Sequence, residues 1–286
     1  MDTFFSFLEK RVDDCASLLC VGLDPHTPDL VGADGHPPTA ASALDFCLNL
    51  VKQTAPYAAA FKPNAAFFEV FGAEGWTVLK QVIEAIDYES KRLGSLIPVI
   101  LDAKRGDIAS TAEAYAKSAF ETVGAHCVTL SPYLGKDSID PFLSYPEKGV
   151  FLLCKTSNAG SGDLQDIIVK TSEVSETSEV HEPLYIHVAK LAQSWNTKNN
   201  IGLVVGATHI EATKRVRAAA PDLWFLAPGV GTQGGELEAA LKAGLRKDGK
   251  GMLISVSRGI SRAEKPGLAA AEIRDQILHF RRELRK

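Results

Sequence analysis

The chain has 286 residues, 45% of them hydrophobic and 23% charged, with a formal net charge of −4. This composition excludes disordered, collagen-like and coiled-coil chains, and its mild acidity argues against a general nucleic-acid binder, which carries a basic face. The length fits either one α/β barrel or two domains of about 150 residues each, and any anionic ligand must be held by a few local cations.

The opening residues MDTFFSFLEKRVDDC lack the basic-then-apolar order of a signal peptide. No apolar run approaches the roughly 20 residues that span a bilayer, so a cytoplasmic location without membrane contact is expected. Within this first stretch Phe4, Phe7, Leu8 and Val12 share one face of a helix, expected to close the bottom of the fold. Eight runs of strand length follow, at 18–23, 58–61, 97–101, 126–130, 150–154, 201–205, 223–227 and 252–256. Segments of helical spacing lie between them, such as Leu44, Leu48 and Val51, or Val78, Val82, Ile83 and Ile86. Continuously apolar strands alternating with amphipathic helices indicate a parallel sheet covered by helices. Eight such units point to a (β/α)8 TIM barrel spanning 1–286 as a single domain, with an open doubly wound sheet as the alternative.

Two stretches depart from the pattern. Residues 32–38 (GADGHPP) read as a turn-rich surface loop. Residues 158–183 form a long polar insertion with a crude TSEV/SETSEV repetition, expected to be a mobile linker or, at the C-terminal end of a barrel strand, a lid. Five cysteines, with Cys20, Cys127 and Cys154 inside apolar runs, show no Cys-x-x-Cys or Cys/His metal spacing. They read as small buried hydrophobes in a reducing compartment.

Polar residues concentrate where the strands end. In IPVILDAKRGDIAST the side chains of Asp102 and Lys104 point the same way, their α-carbons about 6–7 Å apart. Ser110 and Glu113 have the spacing of a capping box for the next helix, which leaves Asp107 in the loop. In FKPN, Lys62 holds the matching position one strand away, about 4.8 Å across, within reach of Asp102. A lone lysine there is usually a solvated charge, but three charges on adjacent strands at the end where barrels keep their chemistry form a candidate site. After the seventh and eighth runs come PGVGTQGG and SVSRG, Gly-rich segments at the usual phosphate position of such barrels. Arg258 is expected to pair with a phosphate and Gln233 to donate a hydrogen bond.

FKPN, LDAKRGDI, PGVGTQGG and the late Ser-Arg-Gly, in this order, closely resemble the orotidine 5′-monophosphate decarboxylase family, in its branch of longer bacterial-type chains. The resemblance runs from LLCVGLD to SRGI, nearly the whole chain. It implies conversion of orotidine 5′-monophosphate to uridine 5′-monophosphate, the last step of de novo UMP synthesis, without metal or cofactor. Lys62, Asp102, Lys104 and Asp107 match the family's alternating charge array, in which the last aspartate serves the partner's site in a homodimer. Asp24 matches the ribose-binding aspartate, Thr111 the hydroxyl beside the shared aspartate, Ser157 the serine that reads the pyrimidine edge, and Gln233 and Arg258 the phosphate contacts. Lys104 is then the group that stabilises and protonates the C6 carbanion. Rival readings are a metal-dependent sugar-phosphate aldolase or synthase with Asp102 as ligand, a Schiff-base aldolase using Lys62 or Lys104, and a non-catalytic nucleotide-binding protein.

Overall fold

A computed structural model describes residues 3–31, 35, 37–172, 179–229 and 234–283. Eight parallel strands form the barrel wall: β1 Leu19–Leu23, β2 Ala60–Pro63, β3 Ile100–Arg105, β4 Cys127–Leu130, β5 Gly149–Lys155, β8 Ile201–Val205, β9 Trp224–Pro228 and β10 Met252–Val256. Each overlaps one of the eight apolar runs, β2 and β3 starting two and three residues further along than expected. The sequence LCVGL of β1 and IGLVV of β8 are buried at every position, because one face meets the lumen and the other the surrounding helices. The sheet runs β2-β1-β10-β9-β8-β5-β4-β3. Two isolated parallel bridges, Phe61↔Val99 and Asn64↔Asp102, close the circle between β2 and β3. The result is the (β/α)8 architecture rather than an open sheet.

Local chemistry sets the covering helices. Thr39 and Ser42 form a reciprocal capping box that starts the helix Ala40–Thr54. The 22-residue helix Gly72–Leu93 stops at Gly94, whose φ of 67° ends it in the left-handed conformation. No described helix is long and apolar enough to cross a membrane.

The helix Phe4–Asp14 plugs the N-terminal end of the barrel. Its buried face is Phe4, Phe5, Leu8, Arg11 and Val12, so Phe5 takes the place expected of Phe7, which lies at the edge of the face. The Phe5 ring meets Phe151 edge-on at 5.6 Å and stacks on Trp224 at 6.3 Å. Gly149 makes this approach feasible, since a methyl group there would stand 2.5 Å from the Phe4 ring. Buried Arg11 donates to the carbonyls of Ala58 at 3.0 Å and Ala55 at 2.6 Å, tying the plug to the turn before β2.

The described part of the insertion at 158–183 carries secondary structure of its own. After a short helix, Gly162–Gln165, strand β6 Ile168–Ser172 pairs antiparallel with β7 Glu179–Pro183. The base of this hairpin is tied to the barrel. Lys155 Nζ lies 2.7 Å from Asp166 Oδ1, the Leu184 N–H donates to the Ile167 carbonyl, and buried Glu182 pairs with Lys190 at 2.8 Å. Most of the TSEV repetition falls at 173–178, outside the described residues.

Candidate active site

The C-terminal ends of the strands open into a cleft of about 1020 Å³ whose walls include Asp24, Lys62, Asp102, Lys104, Ser157 and Arg258. Five of the eight barrel strands, β1, β2, β3, β5 and β10, thus bring their predicted site residues to one place. Asp107 and Thr111 do not line this cleft. The Asp107 carboxylate accepts the N–H of Ile108 at 2.8 Å, and Thr111 is exposed on the helix Ala109–Lys117. Gln233 lies outside the described residues. The capping box expected of Ser110 and Glu113 is absent: the helix starts at Ala109, its N-cap is Ile108, and no side chain caps it.

At the centre is a row of three charges. Lys62 Nζ is 2.9 Å from Asp102 Oδ2, and Lys104 Nζ is 2.6 Å from Asp102 Oδ1. The Lys62 and Asp102 side chains are 9% and 12% exposed, whereas Lys104 is 50% exposed and faces the opening. Burial alone works against ionising Asp102, but the two ammonium groups override it and hold the carboxyl at about 2. Burial likewise opposes the charge on Lys62, and Asp102 with Asp24 lifts its pKa above the ordinary lysine value instead. Lys62 and Asp102 are therefore both charged at neutral pH.

The backbone beneath this row is irregular. Lys104 has φ 47°, in the left-handed region that costs a non-glycine residue roughly 1–3 kcal/mol. The β3–β4 register slips between Leu101 and Arg105, which turns Lys104 out of the ladder. Thr129 of β4 fills the gap, its hydroxyl 2.9 Å from Asp102 Oδ1. Sequence reasoning missed Thr129, although it is the one polar residue of the run CVTL.

Elsewhere in the cleft, the side chains of Asp24 and Ser257 each bury an oxygen, Oδ1 and Oγ, that has no hydrogen-bond partner within the described protein. Both are acceptors, and Ser257 also a donor, for polar atoms of a ligand. Ser157 follows β5 and presses against Gly206, where a methyl group would come within 2.9 Å of its backbone nitrogen. The neighbouring Thr156 is clamped by Gln165 of the insertion: its N–H donates to Gln165 Oε1 at 2.9 Å, and Gln165 Nε2 donates to its hydroxyl at 2.8 Å. Gln165 also lines the cleft, another residue the sequence reading passed over, since nothing in a polar insertion marks one glutamine. Five free cysteines are all buried, and burial pushes the Cys20 thiol up to about 12. Among the described residues no three His, Cys, Asp or Glu side chains are grouped to hold a metal ion.

Comparison with known proteins agrees with this geometry. Residues 17–273 match the family described as "Orotidine 5'-phosphate decarboxylase / HUMPS family". The chain is similar to the orotidine 5'-phosphate decarboxylase of Roseiflexus castenholzii, 46% identical over 279 residues that cover 97% of this chain and 96% of that protein. It is also similar to the enzyme of the same name from Dehalococcoides mccartyi, 40% identical over 286 residues with 98% of each covered. Among solved structures, the OMP decarboxylase of Leishmania donovani superposes with a TM-score of 0.82 at 51% identity, covering 98% of both chains. By the match across almost its whole length, the chain belongs to the orotidine 5'-phosphate decarboxylase / HUMPS family.

Proposed function

We propose that the protein is a carboxy-lyase that converts orotidine 5′-monophosphate to uridine 5′-monophosphate in pyrimidine biosynthesis. The observation that carries this reading is the row Lys62–Asp102–Lys104, with one ammonium projecting into a cleft large enough for a nucleotide.

Loss of carbon dioxide from C6 leaves an electron pair in the plane of the pyrimidine, out of reach of the ring π-system. The protein then has to supply the stabilising charge, already oriented, where that pair develops. Lys104 does this: its ammonium offsets the carbanion and then delivers the proton to C6. Asp102, ionised throughout, faces the departing carboxylate and disfavours the ground-state anion. Lys62 keeps Asp102 ionised and reaches towards the ribose, where Asp24 offers its unpartnered oxygen to a hydroxyl. Arg258 and Gln233 take the phosphate, and Ser157 reads the pyrimidine edge. Binding energy at the phosphate, remote from C6, is used to lower the barrier at C6.

The active form is a homodimer in which Asp107, beside Thr111, completes the partner's site. Its position outside its own cleft supports this, as do exposed Val70, Ile108 and Tyr133 on the loops after β2, β3 and β4. The whole chain acts as one barrel domain in the cytoplasm, where its buried thiols stay reduced. The test is the loss of orotidylate absorbance with purified protein in the presence of a chelator. Turnover that survives chelation supports the reading; no turnover refutes it, and turnover restored only by a divalent metal refutes its metal-free chemistry.

A further inference from the structure

The ladder between β3 and β4 runs Ile100↔Cys127 and Leu101↔Val128, then slips and resumes at Arg105↔Leu130. Within the slip the Thr129 hydroxyl accepts the N–H of Ala103 at 3.1 Å and that of Lys104 at 2.9 Å. The same hydroxyl donates to Asp102 Oδ1 at 2.9 Å. A hydroxyl has one donor and two acceptor positions, so every one is used and its proton is committed to Asp102. Thr129 is 1% exposed, so an N–H or carboxylate oxygen that loses this partner bears the cost of a buried unsatisfied group. Lys104 meanwhile holds a backbone conformation that persists only where its surroundings impose it.

We propose that Thr129 is a positioning residue for the decarboxylation: its hydroxyl locks the Ala103–Lys104 backbone and the Asp102 carboxylate to one another. The Lys104 ammonium and the Asp102 carboxylate, 2.6 Å apart, are thereby held in one relative orientation at the floor of the cleft. This rests on the function proposed above and assigns to it a residue of a third strand. A valine at this position has nearly the same shape but leaves two N–H groups without acceptors and Asp102 short of a donor, so the bulge relaxes and Lys104 moves.

The experiment compares T129V and T129S with wild type by kcat for orotidylate, by Kd for uridylate, and by the folded fraction from circular dichroism. In T129V, kcat falls about tenfold to a hundredfold, the loss expected of a hydrogen bond to a charged group at the reacting centre. Uridylate affinity stays within about twofold, because the product makes no demand on the spacing that only the transition state requires. T129S keeps the hydroxyl and lies closer to wild type than to T129V. A purely structural role lowers the folded fraction and leaves kcat per folded molecule unchanged, and that result overturns the proposal. So does a T129S as impaired as T129V. If T129V does not fold, T129C, whose thiol is a much weaker acceptor, is held to the same criterion. Wild-type protein with no turnover refutes the proposed function and this inference together; an unimpaired T129V beside active wild type refutes the inference alone.

Discussion

Replacing Lys62 with methionine removes a buried ammonium and keeps a side chain of similar length. Lys62 and Asp102 are 2.9 Å apart and nearly enclosed, and breaking such a pair costs about 3–5 kcal/mol. Lys104 remains 2.6 Å from the other oxygen of Asp102, which puts the cost near the low end, about 3 kcal/mol. An unfolding entropy of roughly 2.1 cal/mol/K per residue comes to about 0.6 kcal/mol/K for this chain, so the melting temperature of K62M drops by about 5 °C. Acid stability supplies a separate measure. Asp102 titrates at about 2 in the folded protein, below the roughly 3.9 of an unfolded chain. A carboxyl depressed on folding contributes stability that is complete above the unfolded pKa and disappears as pH falls through the folded one. Without Lys62 the folded value rises towards the unfolded one, so the acid decline that Asp102 contributes begins near the same pH in both proteins but is smaller in K62M and ends at higher pH. Thermal melts between pH 3 and 8, with initial rates on orotidylate, measure both effects. A K62M protein that melts within about 1 °C of wild type, with an unchanged acid limb, refutes the coupling of Lys62 to Asp102.

K104A abolishes turnover while uridylate still binds, as isothermal titration will register; substantial residual activity removes Lys104 from its role. R258A impairs orotidylate far more than the phosphate-free nucleoside, and equal losses of kcat/KM on the two substrates dismiss the phosphate assignment. Mixing K104A with D107A and letting subunits exchange restores roughly a quarter of wild-type activity, since half the dimers are hybrids with one intact site; no recovery after demonstrated exchange denies the shared site. Q165L leaves the Thr156 N–H without its acceptor and raises KM for orotidylate more than it lowers kcat, which steady-state kinetics will reveal.

Much of this molecule was legible before any coordinates because parallel barrel strands are buried on both faces. Runs such as LCVGL and LISV have few other uses, and their count specified the architecture. The meeting of Lys62 with Asp102 and Lys104 was legible for a related reason: strand parity and spacing are geometric constants. What escaped notice depends on departures from regularity. The left-handed Lys104 and the slipped register that draws Thr129 into the row leave no trace in residue type, since a threonine in CVTL is an ordinary strand residue. The hairpin β6–β7 was hidden by its polar composition, and its described base is anchored to the barrel by an ion pair that no local pattern announces. Ser110 and Glu113 had the right spacing for a cap, but Ala109 enters the helix first. Phe5 displaced Phe7 because the floor beneath the helix offered Phe151 and Trp224 to stack against, a preference no single-helix periodicity contains.

The plug helix also sets the order of events during synthesis. Phe4–Asp14 leaves the ribosome ahead of every barrel strand, yet Glu9 accepts hydrogen bonds from Trp224 and Arg246, partners 215 and 237 positions further along. Its apolar face has no complete floor to cover until β9 has emerged, and β1 must await β10 as its neighbour. Contacts of such long sequence separation make folding slow and leave hydrophobic surface exposed in the meantime. The barrel therefore cannot close before β10 has emerged, and until then the nascent chain carries an uncovered phenylalanine pair, a natural target for chaperones that hold apolar segments.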